Sequence, residues 1–109
     1  MQKNILYELT EAGQSVWLDF ITRNLVRSGE LKNLIEENCV RGVTINPTIF
    51  EQAIVGSDAY ADDCRRLANA NVDPIEVYHQ LMVSDVTEAS RLLRAVFDTT
   101  GGLDGYVSM

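Results

Sequence analysis

Apolar positions fall into two kinds of run along this chain, and their alternation sets the predicted architecture. Residues 1–14 place Ile5, Leu6 and Leu9 on one side of a short helix that ends near Gly13. Val16-Trp17-Leu18-Asp19-Phe20 follows, apolar on both faces except for one carboxylate, which predicts a buried strand over 16–20. Thr22 offers a cap for a helix through Leu25 and Val26, and Ser28 opens a second with Leu31, Leu34 and Ile35 on one stripe. Gly42-Val43-Thr44-Ile45 predicts the next buried strand. Asn46-Pro47 ends it, because Pro47 cannot donate to a ladder but suits the first turn of a helix, predicted over 48–55 and stopped by Gly56. From Ser57 to Gly101 the pattern is helical in three pieces, with starts at Ser57, at Asp73-Pro74-Ile75-Glu76 and at Ser84-Asp85-Val86-Thr87-Glu88. Gly101-Gly102 breaks the last piece, and Gly105-Tyr106-Val107-Ser108-Met109 predicts a third strand.

Strands apolar on both faces and separated by helices predict an α/β fold, with a parallel sheet covered by helices and right-handed crossovers. A βα barrel closes with eight strands and about 250 residues, and an open doubly wound sheet uses about five. Three predicted strands in 109 residues are fewer than either. The expectation is a single incomplete domain over 1–109 whose open strand edges invite self-association.

Composition narrows the function classes. At 46% apolar residues the chain can bury a core, so disorder is not expected. Sixteen acids against nine bases give a net charge of −7, which disfavours nucleic acid and anionic membranes as partners. No apolar run reaches the roughly 18 residues of a membrane span, and residues 1–9 do not read as a leader. Cys39, Cys64 and His79 supply neither a disulfide framework nor a cysteine/histidine zinc site, so no metal is expected and a cytoplasmic location is.

Asp19 is the first candidate for chemistry. Strand alternation puts it with Trp17 on one face and Val16, Leu18 and Phe20 on the other. The Leu and Phe face belongs against helices, leaving Asp19 in a barrel interior or cleft; equally, it could cap a neighbouring loop at the strand end. Thr44 and Asn46 form a second pair on one face at the carboxyl end of the next strand, where α/β folds bind ligands. Asn46 offers one acceptor and two donors for a substrate oxygen, or it is a plain helix cap before Pro47. Asp19 and Asn46 occupy corresponding ends of consecutive parallel strands, so they would face one pocket. His79, Arg65, Arg66, Arg91 and Arg94 read as solvated helix faces. Gly101-Gly102-Leu103-Asp104-Gly105 leads from helix to strand, the reverse of a phosphate-cradling loop.

Three stretches carry a resemblance: Gln14-Ser15-Val16-Trp17-Leu18-Asp19-Phe20, Arg41-Gly42-Val43-Thr44-Ile45-Asn46-Pro47-Thr48-Ile49-Phe50 and Gly101-Gly102-Leu103-Asp104-Gly105-Tyr106-Val107-Ser108. With Gly56-Ser57-Asp58 they resemble the amino-terminal part of bacterial transaldolase, in the longer form that occurs alone or fused to a glucose-6-phosphate isomerase domain. The resemblance implies the first three βα units, with extra helices, of a TIM (β/α)8 barrel working through a lysine Schiff base without a cofactor. It implies transfer of a dihydroxyacetone unit from sedoheptulose 7-phosphate to glyceraldehyde 3-phosphate in the pentose phosphate pathway. On that resemblance Asp19 assists proton transfer, Asn46 hydrogen-bonds the dihydroxyacetone moiety and Thr44 lines the same pocket.

Two departures stand out. Ile45 occupies a position that is usually Ser or Thr in the family, and Met109 precedes the family's water-positioning glutamate. The fourth-strand lysine has no match either. A Schiff-base lysine needs a desolvated pocket, whereas Lys3 is in the amino-terminal tail and Lys32 sits among Glu30, Glu36 and Glu37. The 109 residues alone are therefore expected to be inactive. Alternatives are a Schiff-base sugar-phosphate aldolase, or a non-catalytic split-barrel module that pairs through its strand edges.

Overall fold

The computed structural model describes residues 5–108, and its order of elements follows the predicted alternation closely. Helix α1 (Ile5–Glu11) precedes strand β1 (Val16–Leu18). Helices α2 (Arg23–Arg27) and α3 (Glu30–Glu37) lead to β2 (Val40–Thr44). Helix α4 (Pro47–Gly56), a 3-10 turn (Asp58–Tyr60), α5 (Ala61–Asn69) and α6 (Pro74–Thr99) come before β3 (Tyr106–Ser108). The predicted helical residues 1–4 and the strand residue Met109 lie outside the described residues.

The three strands form one parallel sheet in the order β1-β2-β3. Leu18 pairs with Val43 and Val43 with Val107, while Trp17 pairs with Gly42 and Gly42 with Tyr106. Leu18, Val43, Val107 and Ile45 pack into one core with Ile21, Leu25 and Leu31 and with Ala89, Leu93 and Val96 of α6. One face of the sheet is thus closed by helices. On the other face Trp17 remains 40% exposed. A bulge interrupts β1/β2: the register passes from Val16↔Val40 to Trp17↔Gly42, leaving Arg41 without a partner on β1.

Local caps behave as their residue types dictate. The Thr22 hydroxyl accepts from Leu25 N, Asn46 Oδ1 from Thr48 N and Ile49 N, Ser57 Oγ from Ala59 N and Asp73 from Ile75 N. Pro47 and Pro74 each stand in a first helical turn, where a missing N–H costs nothing.

Two expectations are corrected. The start predicted at Ser84 does not exist: Pro74–Thr99 is one helix of 26 residues, about 39 Å long. Its buried stripe runs Leu81, Asp85, Ala89, Leu93, Val96 without interruption, so burial overrides the cap signal. The first half of α6 packs Leu81 against Phe50 and Tyr60 in a second core outside the sheet, and the second half packs on the sheet itself. One unbroken rod therefore joins both cores. The second correction concerns β1, which ends at Leu18 rather than Phe20. Phe20 still packs against the core, but after a bend at Asp19.

Candidate functional site

All three sequence-predicted site residues lie at the carboxyl end of the sheet. Asp19 is exposed and immediately follows Leu18, the residue paired with Val43. Thr44, the next residue after Val43, is the last of β2, is half-buried and pairs with Ser108. Continuing the register sets Asp19, Thr44 and Ser108 side by side across the strand ends. Val43 and Val107 point into the helix-covered core, so alternation turns Thr44 and Ser108 toward the uncovered face. Asn46 sits two residues beyond Thr44 and is half-buried. Its Oδ1 receives Thr48 N at 3.1 Å and Ile49 N at 3.2 Å. The capping role weighed for Asn46 is present; it uses the carbonyl oxygen and leaves the amide nitrogen free of protein acceptors among the described residues.

The structure also holds a buried ionic cluster, unanticipated from the sequence. Arg23, Tyr60 and Asp85 are each 1% exposed. Arg23 Nε donates to Asp85 Oδ1 at 2.9 Å, and Tyr60 Oη donates to Asp85 Oδ2 at 2.5 Å. Tyr60 Oη in turn accepts from the Arg23 backbone N at 2.7 Å, while Arg23 Nη1 reaches Asp63 Oδ2 at 2.7 Å. The guanidinium carbon lies 4.3 Å from the centre of the Tyr60 ring.

Burial disfavours the Arg23 cation, but its hydrogen bonds and charge attraction to Asp85 and Asp63 outweigh that and raise its pKa. Burial, followed by the hydrogen bond to Asp85, pushes the Tyr60 phenol well above its ordinary range. Tyr78 is also raised, by burial and then by the charge of Glu51. The cluster ties the first turn of α2, four residues after Asp19, to the 3-10 turn and the middle of α6. One signal was available: Asp85 falls on the apolar stripe between Leu81 and Ala89, where an unpaired carboxylate would be costly.

Other residues sit as the sequence suggested. His79, Arg65, Arg66 and Arg94 are exposed, with carboxylate partners one helical turn away. Among the described residues, no group of three or more His, Cys, Asp or Glu could hold a metal ion, and no helix is long and apolar enough to cross a membrane. Lys32 is exposed on α3; Lys3 lies outside the described residues.

A parallel sheet with helices on one face and polar residues gathered at its carboxyl ends is the construction of a βα barrel, whose chemistry sits at that end. The comparisons sharpen this class. The model of the Transaldolase/Fructose-6-phosphate aldolase family matches residues 16–109, and the chain belongs to that family. It is 41% identical over 109 residues to a transaldolase of Trichodesmium erythraeum (strain IMS101), covering 100% of this chain and 29% of that protein. It is 46% identical over 106 residues to one of Frankia alni and 47% identical over 104 residues to one of Acidothermus cellulolyticus, covering 97% and 95% of this chain. The chain thus spans about 29% of the length of the curated relatives it matches, corresponding to their amino-terminal part. The fold is α/β, the amino-terminal portion of a TIM barrel.

Proposed function

We propose that residues 1–109 act as one unit, the opening section of a Schiff-base transaldolase barrel. The reaction moves a dihydroxyacetone unit from sedoheptulose 7-phosphate to glyceraldehyde 3-phosphate and uses no cofactor. The observation that carries this reading is the placement of Asp19, Thr44 and Asn46 at adjacent strand ends, in a chain of this family. In the proposed mechanism Asp19, exposed beyond β1, relays a proton at the donor sugar. Asn46 divides its side chain between two tasks: Oδ1 holds the start of α4, and the amide N–H groups hold an oxygen of the dihydroxyacetone moiety. Thr44 lines the pocket between them. On the resemblance to the family the nucleophilic lysine belongs to a later strand; Lys32 is exposed on α3, without the desolvated pocket such a lysine needs. The family description also covers fructose-6-phosphate aldolase, but the relatives bear the name transaldolase, which favours transfer over simple cleavage.

Two experiments test the reading. Treatment of the 109-residue chain with fructose 6-phosphate and borohydride should leave no trapped adduct by mass spectrometry; an adduct on Lys3 or Lys32 overturns the assignment. Mixing the chain with the complementary carboxyl-terminal part of the Trichodesmium enzyme should restore transfer activity. Asp19→Ala should then lower it by about 10²–10⁴-fold, the usual worth of a positioned proton-transfer group. Assembly with undiminished activity in that variant overturns the role of Asp19.

A further inference from the structure

The amino-terminal end of the sheet, opposite the Asp19–Thr44 row, holds a second set of polar groups. The bulge in β2 leaves Arg41 unpaired on β1, and bulges commonly re-aim a side chain. Arg41 lines a cavity of about 430 Å³ with Thr10, Gln14, Ser15, Thr100, Leu103 and Asp104. Arg41 Nε is buried and has no hydrogen-bond partner. The guanidinium forms no ion pair among the described residues, although Asp104 lines the same cavity. Asp104 is occupied instead by Ser15 Oγ, which donates to its Oδ1 at 2.6 Å. Arg41 is thus a half-buried cation at a cavity wall with one N–H unanswered and no carboxylate paired to it among the described residues, a state that calls for an explanation.

The remaining lining groups select the ligand. Thr10 Oγ1 donates to Leu6 O, and Thr100 Oγ1 donates to Val96 O. The Ser15 hydroxyl is spent on Asp104. None of the three hydroxyls has a proton left for an anion, so the donors are the Arg41 fork and the Gln14 amide. That supply fits a planar carboxylate received by the two terminal guanidinium nitrogens, not a phosphate with its three or four oxygens to satisfy. Leu103, 83% exposed at the rim, offers an apolar seat for a short carbon tail. We propose that this cavity binds a small carboxylic acid through Arg41, at the end of the sheet remote from the proposed catalytic row.

Propionate is the probe, titrated into the ¹⁵N-labelled 109-residue chain by NMR at constant ionic strength, with inorganic phosphate as comparator. The expected result is saturable shifts of the Gln14, Leu103 and Asp104 amides with propionate, absent in Arg41→Met and about tenfold weaker in Arg41→Lys, which keeps the charge but loses the fork. Should Arg41→Met lose its dispersed spectrum, Arg41→Lys carries the comparison. The proposal is overturned by no saturation in the wild-type chain, by equal affinity in both variants, or by an equal response to phosphate. A carboxylate supplied by a second copy of the chain is a different source. It would appear as Arg41-dependent self-association on dilution, and would overturn the free-ligand assignment.

Discussion

Trp17 lies against the backbone of Gly42 so closely that a Cβ on Gly42 would come within 2.4 Å of Trp17 Cε2 and 2.6 Å of Cδ2 and Cζ2. The two residues are register partners across β1 and β2. The absence of a side chain at 42 is what lets the indole settle on the uncovered face of the sheet.

Gly42→Ala should therefore destabilise the chain by about 1–3 kcal/mol, the usual cost of overpacking. Urea denaturation reads this directly. In a Trp17→Leu background the same substitution should cost measurably less, because the ring it displaces has gone. Equal costs in both backgrounds would show that the strain comes from elsewhere.

Asp85→Ala should cost about 3–5 kcal/mol, since it removes the fully buried counter-ion of Arg23, 1% exposed, and leaves the guanidinium only the part-exposed Asp63. Asp63→Ala should cost less, because Asp63 is 35% exposed and Arg23 keeps Asp85. Urea unfolding of the two variants side by side gives the ranking; the reverse order would make Asp63 the principal counter-ion.

Alkaline stability should depend on Tyr60. Its folded pKa is raised, so the folded chain holds the phenol proton more tightly than the unfolded one. The resulting stability is complete below the unfolded phenol value of about 10 and is lost as pH rises through the folded value. Tyr60→Phe should lower stability at neutral pH, by removing the donor to Asp85 and the acceptor for Arg23 N. It should also flatten the fall in stability above about pH 10. Parallel alkaline limbs in the two proteins would refute the assignment.

Asn46 has two separable roles to test. Asn46→Ala should remove the α4 cap and cost about 1 kcal/mol. Asn46→Asp should keep the cap, because a carboxylate accepts from Thr48 N and Ile49 N as the amide does, yet lose the two donors. In the complemented barrel Asn46→Asp should then fall in turnover by about 10²-fold while unfolding at nearly the wild-type urea concentration. Full turnover would confine Asn46 to capping.

The caps and the strand–helix alternation were legible because they depend on neighbours a few residues away. Thr22, Asn46, Ser57 and Asp73 each accept from a backbone N–H two or three residues on. Strand order and period set Asp19 and Asn46 at corresponding strand ends, whereas the register continues from Leu18↔Val43 to bring Asp19 opposite Thr44, with Asn46 two residues further on. Ser84-Asp85 misled because the same residue types that start a helix also tolerate its interior. Asp85 is held there by Arg23, 62 residues away, and Tyr60, 25 residues away.

By itself the sequence determined the parallel α/β order, the first turns of α2, α4 and α6, the apolar faces that meet in the core and the family resemblance. All of these are written in local periodicity and short motifs. Only the tertiary structure decided that α6 is a single rod joining two cores, that β1 stops at Leu18, that Arg23 is buried as a cation paired with Asp85 and Asp63, and that Arg41 lines a cavity. The physical reason is that burying a charge or breaking a register depends on which distant groups arrive beside it. Desolvation and its compensation are settled between residues dozens of positions apart, where no local pattern reaches.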